Sequence, residues 1–462
     1  MQYSVVDYQS IVDASHSLRF DAEFFRPDYL QVQRRLEAIG SHKLIDFQVN
    51  IRHPKEIKRN YVDNGVLLLR GQNVRPLSID LTANPVYISE EDAERLKENT
   101  IHYKDILIMR SGANVGQCAI YLENNNAVSM SDTLIIRSEN LNPFLLTIFL
   151  NTKYGEALVE RGKYGSAQPH IAPPFLYQIP VPNWENLQME IEKTYLRSKE
   201  LTELSKTRYA EAQTLLLSEL GLADWQPKHR LAFATDYASM QQAERIDADY
   251  FQPKYEDIEK GIKNYSNGHT SIRNEFEQNT GTFEIEPEKL YHYVEIGSVN
   301  VSTGETVAEE VLGKDLPANA KRVLKKGDII ISKVRTYRGA ITVIQEDGYV
   351  GSGAFCVLRE NGQINKETLL ACLRSKLFLT WSWKPNTGTS YPTLDDDDIL
   401  DFPIPIFRKE KQAEIKQKVD ESFNLRKDAK DLLECAKRAV EIAIEQDEQT
   451  AIDWLESVSH IP

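Results

Sequence analysis

Two stretches at corresponding places in the chain hold the side chains best suited to reading a nucleic acid. One runs Arg110-Ser111-Gly112-Ala113-Asn114-Val115-Gly116, the other Lys333-Val334-Arg335-Thr336-Tyr337-Arg338-Gly339. Arg can be bidentate to guanine and Asn or Gln to adenine, while Ser, Thr and Tyr serve bases or phosphates. A second pair of tips sets Lys163-Tyr164-Gly165-Ser166-Ala167-Gln168 against Asn386-Thr387-Gly388-Thr389-Ser390-Tyr391, and a third sets Arg70-Gly71-Gln72-Asn73 against Ile296-Gly297-Ser298-Val299-Asn300. The candidate DNA-binding residues are therefore Arg70, Gln72, Asn73, Arg110, Ser111, Asn114, Lys163, Ser166 and Gln168 in the first half. In the second they are Ser298, Asn300, Lys333, Arg335, Tyr337, Arg338, Thr387, Thr389 and Tyr391. Any one tip could be an ordinary solvated loop. Three divergent tips on one repeated frame point to recognition.

Catalytic patterns are missing. The chain has no Gly-x-x-x-x-Gly-Lys-Ser/Thr phosphate loop, no Gly-x-Gly-x-x-Gly dinucleotide turn, no His-Glu-x-x-His and no Gly-x-Ser-x-Gly, so neither catalytic residues nor a cofactor or metal is expected. Ala172-Pro173-Pro174-Phe175 is similar to the Asp/Asn-Pro-Pro-Tyr/Phe loop of amino-methyltransferases. Alanine, however, cannot accept a hydrogen bond from a base amine. Pro27-Asp28 followed by Glu56-Ile57-Lys58 loosely suggests a metal-dependent nuclease, yet the second copy reads Pro253-Lys254, so structural turn residues are the better reading. The run 395–398 of aspartates reads as a solvated turn and helix start, since carboxylates suit a helix N-terminus. Trp381 and Trp383 could stack on a nucleotide, but core packing is the expected role.

Across 462 residues the hydrophobic share is 41% and the charged share 27%, an ordinary globular composition with room for about three domains, or two large ones with an appended element. No run approaches ~18 consecutive apolar residues, so no membrane contact is expected. The start lacks a basic and then apolar signal, and the address expected is cytoplasmic. Cys118, Cys356, Cys372 and Cys435 show no Cys-x-x-Cys pairing, which argues against zinc and disulfides. The net charge of -14 speaks at first against a nucleic-acid partner. Its distribution reverses that impression: residues 321–384 hold 12 Lys or Arg against 5 Asp or Glu, and residues 51–75 hold six against two.

The elements that must position the tips are written twice. Arg19-Phe20-Asp21-Ala22-Glu23-Phe24-Phe25-Arg26-Pro27-Asp28-Tyr29 returns 226 residues later as Arg245-Ile246-Asp247-Ala248-Asp249-Tyr250-Phe251-Gln252-Pro253-Lys254-Tyr255. Gly71 matches Gly297 at that spacing; at 223, Asp105-Ile106 matches Asp328-Ile329, Lys153 matches Lys376, and Pro180-Val181-Pro182 matches Pro403-Ile404-Pro405. The near-identity of Arg19/Asp21 and Arg245/Asp247 suggests scaffold work, an ion pair or cap near the helix junction. Strands are expected at 66–70, 105–109, 119–122 and 133–137, repeated at 328–332, 340–344 and 354–359, with helices at 143–150 and 366–374. After each Pro-x-Pro exit comes a long helix without Pro, at about 187–222 and 409–446. Ile191, Tyr195, Ser198, Leu201, Leu204, Tyr209, Ala212, Leu215 and Leu216 follow the helical period in the first. Ile415, Val419, Leu425, Ala429, Leu432, Ala436, Val440 and Ala443 follow it in the second. Two such stripes predict mutual antiparallel packing as a coiled coil; the alternative is that each helix folds back on its own domain.

The fold expected is mixed α/β: two homologous domains, 1–183 and 223–408, with one long helix at 184–222 and a second helix and tail at 409–462. With its Arg-x-Asp-Ala-acid-aromatic-Phe-x-Pro-x-Tyr entry, Asp-Ile-Leu-Ile-Met-Arg-Ser-Gly-Ala-Asn-Val-Gly at 105–116, Gly-Asp-Ile-Ile-Ile-Ser at 327–332 and its two Pro-x-Pro exits followed by long helices, the chain resembles the DNA-specificity subunit of type I restriction-modification systems. The resemblance implies a non-catalytic subunit in which 1–183 and 223–408 are target-recognition domains, each reading part of an asymmetric bipartite target, and 184–222 and 409–462 are spacer helices. It further implies helices that dock two methyltransferase subunits, double-stranded DNA as ligand, and restriction or translocase subunits in the full complex. The strong acidity departs from that pattern. A helix of about 30 residues would span ~45 Å, enough for readers in half-sites ~34 to 36 Å apart. Two competing classes are an enzyme carrying its own recognition domain, such as a methyltransferase or nuclease, and a non-DNA interaction protein.

Overall fold

The computed structural model describes residues 4–14, 19–58, 60–82, 84–112, 114–165, 168–386 and 391–458. Ser166, Thr387 and Thr389 lie outside them. The chain divides into two compact units, Met1–Thr202 with Lys427–Pro462, and Glu203–Arg426.

Within the first unit the strand Ile106–Met109 is buried on both faces. Its alternate side chains explain why a continuous apolar run was needed. Ile106 and Ile108 face the main core with Leu134, Ile136 and the helix Pro143–Leu150, whereas Leu107 and Met109 face a smaller core with Leu69 and Ile135. An antiparallel sheet runs in the order Asn50–Arg52, Thr133–Arg137, Ile106–Met109, Cys118–Ile120. A second runs Tyr87–Ile88, Val66–Leu69, Ala127–Ser129, Thr100–Ile101, with Val66–Leu69 and Ala127–Ser129 parallel. The Pro180–Val181 exit pairs with His42–Lys43.

The second unit has the same plan. Its first sheet is ordered Phe276–Gln278, Phe355–Glu360, Ile329–Ser332, Ile341–Val343; its second is Glu309–Leu312, Leu290–Val294, Tyr349–Ser352, Ala320–Leu324, again with one parallel pair at the same place. Pro403–Pro405 pairs with His269–Ser271. Ile329 and Ile331 enter the main core and Ile330 the smaller one. The matched Asp-Ile steps have a clear cause. Asp105 is buried, accepts from the backbone N–H of His102 and pairs with Arg137, while Asp328 accepts from Lys325 N–H and pairs with Arg359.

The long helices are Glu185–Glu219 and Lys409–Glu445. In the first unit, Leu187, Ile191 and Tyr195 share a core with Phe144 and with Ala436, Ala439, Val440 and Ala443. Glu448, opening the last helix Glu448–Val458, accepts from Asn186 N–H and Leu187 N–H and so caps the start of the first long helix. In the second unit, Ser205, Arg208 and Glu211 meet Ser422, Glu421 and Lys418 in antiparallel order. Both expectations for the stripes are met in part: each helix segment packs on its partner and on the core of its own unit. Small residues at the crossing permit this, because Ser198, Ser205, Ser422 and Ala429 bring backbones close enough for Ser198 Oγ to donate to Ala429 O and Ser422 Oγ to Ser205 O. Leu204, expected on the stripe, is instead exposed. Leu425 is only half-buried, and Ser422 and Arg426 take the inner positions there.

Cys118, Cys356 and Cys372 are buried free thiols, Cys435 is half-buried, and burial pushes the first three up to about 12. No group of His, Cys, Asp and Glu among the described residues could hold a metal ion. No helix among them is long and apolar enough to cross a membrane.

Candidate nucleic-acid interface

The first pair of tips grows directly from the central strands. After Met109, Arg110 N–H donates to Asp132 O, and Arg110 O accepts from Ile171 N–H. After Ser332, Lys333 O accepts from Leu394 N–H, Arg335 N–H donates to Pro392 O, and buried Thr336 donates its hydroxyl to Ser332 O. Each tip closes on a glycine that must be left-handed, Gly116 at φ 96° and Gly339 at φ 84°. Arg335 is left-handed as well, at φ 49°. A non-glycine residue pays for that geometry, and the tight turn Thr336–Arg338 that follows uses it to present Tyr337 and Arg338.

The second pair of tips hangs on the repeated Arg-x-Asp element. Arg19 pairs with Asp21 and donates to Arg161 O and Lys163 O; Arg245 pairs with Asp247 and donates to Pro385 O and Asn386 O. The aspartates cap Phe24 N–H and Tyr250 N–H, and the Arg19 hydrogen bond holds Asp21 below the usual carboxylate range. The expected ion pair is present, but its place is the stem of this tip rather than the helix junction. Lys163 is paired with Glu160, and Gln168 is exposed.

The third pair is mostly occupied by its own turn. Asn73 is buried, accepting from Arg70 N–H and donating to Asp80 O, so its amide is not presented to solvent as expected. Asn300 Oδ1 accepts from Ser302 N–H and Thr303 N–H, and Ser298 Oγ accepts from Glu295 N–H. Arg70 donates to Asn84 O, while Gln72 is exposed. Spacing in the sequence cannot separate an amide that closes a turn from one that faces outward.

Much of the local basic surplus is likewise structural. Arg52 and Lys55 both meet Glu98, Lys333 meets Asp396, Lys384 meets Glu259, and Arg359 meets Asp328. Arg374 spends its guanidinium on the carbonyls of Gly339 and Ile341, at the end of one tip and in the strand after it, and of Val301 and Ser302, just beyond another. Arg110, Arg335 and Arg338 have no carboxylate partner among the described residues. Arg110 also helps to lower the pKa of nearby His53, after burial. Ser111 and Asn114 flank Arg110, the latter exposed.

Around Arg335 and Arg338 the aromatics gather. Arg335 lies over the exposed ring of Tyr391 at 4.8 Å, and Tyr337 stacks on Trp383 with centroids 3.9 Å apart and planes at 24°. Trp381 is a core residue, as expected, its indole N–H donating to Glu259. Trp383 is not: it is 42% exposed. The aspartate run opens the helix Asp396–Leu400, with Asp397 and Asp401 paired to Arg273. Ala172-Pro173-Pro174-Phe175 forms a short helical turn, Pro173–Leu176, whose backbone N–H groups are satisfied locally.

One strand order is built twice, and each copy ends in polar tips whose side chains differ between the two. Residues 256–434 match the family described as "Type I restriction modification DNA specificity domain". Among curated proteins the chain is similar to the type I restriction enzyme EcoDI specificity subunit of Escherichia coli, 25% identical over 121 residues, 26% of this chain and 27% of that protein. It is also similar to the type I restriction enzyme HindI specificity subunit of Haemophilus influenzae, 30% identical over 129 residues, 25% of this chain and 28% of that protein. The matched stretches thus span little more than a quarter of either relative. Among solved structures, the S subunit of the type I restriction-modification system from M. genitalium is 12% identical and covers 90% of this chain and 95% of its own, at a TM-score of 0.36.

Proposed function

We propose that this chain is the DNA-specificity subunit of a type I restriction-modification complex. Each unit reads one half of an asymmetric, bipartite duplex target, and the subunit itself carries no catalytic residue. The observation that carries this reading is the repetition of one strand order and one set of tip positions with different side chains at the tips. A repeated frame with different readers is what two unlike half-sites require. The match of residues 256–434 to the specificity-domain family supports the same conclusion. Arg110, Ser111, Asn114, Gln72, Lys163 and Gln168 are the readers of the first unit, and Lys333, Arg335, Tyr337, Arg338 and Tyr391 those of the second. Ser166, Thr387 and Thr389 complete the second pair of tips. Arg70, Asn73, Ser298 and Asn300 set the shape of the third pair.

The partners are double-stranded DNA, two methyltransferase subunits docked on the long helices, and restriction or translocase subunits in the full assembly, in the cytoplasm. The domain boundaries proposed are 1–183 and 223–408, with the spacer segments 184–222 and 409–462. Replacing residues 110–116 by the tip of another specificity subunit should change one half of the methylated sequence and leave the other intact. Methylome sequencing reads the outcome directly, and a change in both halves rejects independent reading. The purified chain alone should bind no S-adenosylmethionine, whereas an enzyme with its own recognition domain would.

A further inference from the structure

The two units do not offer the same chemistry at their tips. Trp383, Tyr337, Tyr391 and Arg335 of the second unit correspond in the first to Glu160, Asn114, Gln168 and Gly112. Every aromatic of the group is replaced by a residue that cannot stack. We infer that the Tyr337–Trp383 pair is a stacking platform for a DNA base at an opened base-pair step, used by the second unit alone.

The inference rests on the DNA-reading function proposed above, and four observations carry it. First, the rings are already stacked at 3.9 Å, yet Trp383 remains 42% exposed. Second, both rings are rigidly mounted. Tyr337 sits in the turn Thr336–Arg338, and Trp383 follows the helix Lys376–Trp381 after the cap residue Ser382, with its backbone N–H donating to Thr380 O. The next residue, Lys384, is fixed to Glu259. Third, the Trp383 indole N–H finds no acceptor among the described residues, unlike that of Trp381. A Trp kept for packing is largely buried and satisfies its N–H; this one stays 42% exposed and has no N–H acceptor among the described residues. Fourth, Arg338 lies 6.0 Å from the Tyr337 centroid and Arg335 covers Tyr391. Neither has a carboxylate partner among the described residues, so cations flank the platform where phosphates would run.

In an intact duplex both faces of a base are covered by its neighbours. A ring can stack on a base only where a step is opened, and opening costs least at pyrimidine–purine steps. Aromatic stacking on a base repays that cost. The half-site read by the second unit therefore contains one deformable step, and the other half-site needs none.

The test uses the full chain assembled with its methyltransferase partner and short duplexes carrying the mapped target, with an abasic site placed opposite each base in turn. Removing the opposing base abolishes pairing while leaving the target base to be stacked. Wild type and Trp383→Phe should bind severalfold tighter when the abasic site falls at one position of the second half-site, and at no position of the first. Trp383→Ala should lose that gain and bind the intact target roughly tenfold more weakly. An unchanged thermal midpoint would show that the variant is folded. A scan with no tightening in the second half-site overturns the platform, as does a gain that survives in Trp383→Ala. Either can happen while sequence-specific, salt-dependent binding persists. Absence of any duplex binding by wild type would instead sink the DNA-reading function and the platform with it.

Discussion

Arg19 and Arg245 act through the backbone carbonyls they hold. Each spans its own aspartate and the backbone of a tip stem, so the guanidinium fork sets where the tip leaves the core. Lysine keeps the charge but offers a single ammonium in place of a planar fork. Arg19→Lys should therefore weaken binding to targets altered in neither half by several-fold and relax selectivity in the first half-site alone; Arg245→Lys should do the same for the second. Competition between single-mismatch duplexes measures this. Equal loss across both halves would assign the arginines to general stability. The residue scale also shows why charge counting overstates the interface: Arg374 and Arg359 belong to the basic stretch by sequence, yet one cages carbonyls and the other neutralises buried Asp328.

Elements were legible where they leave a local trace. Thr133–Arg137 and Pro143–Leu150 have the bounds expected from apolar patterning, and the Asn142 side chain accepts from Phe144 N–H and Leu145 N–H at the start of the helix. Of the second sheet only Val66–Leu69 was legible, because Tyr87–Ile88 and Thr100–Ile101 are two-residue strands and the parallel pair joins residues 60 apart. A strand of two residues has no period to detect. Exposure of Trp383 was equally hidden, since its surroundings come from a turn that precedes it by more than forty positions in sequence. At this scale acid should loosen the first unit. Glu445 is held down to about 2, first by its hydrogen bond from Arg438 and then, against burial, by Lys153. A carboxylate lowered on folding contributes stability that is present above its unfolded value near 4.5 and drains away as pH falls toward the folded one. Urea midpoints of the first unit should drop between about pH 5 and pH 3, and Glu445→Gln should flatten that slope.

For the molecule as a whole, the acidity of -14 is compatible with the proposed DNA ligand because carboxylates are spent along the helices. There Glu190, Glu200, Glu203, Glu211, Glu414 and Glu434 pair with lysines or arginines three residues away. The helix Glu185–Glu219 carries the chain from one unit into the other. Deleting one helical turn within 191–216 should change the length of the unread gap in the methylated sequence while leaving both half-sites as they were. Unchanged spacing would reject the helix as a ruler.

The buried cysteines give each half its own clock. Cys118 belongs to one unit, Cys356 and Cys372 to the other, and thiols raised to about 12 are inert until water reaches them. Labelling by a thiol reagent, followed by peptide mass, thus times the opening of each half separately, and DNA carrying only one half-site would slow one clock and leave the other running.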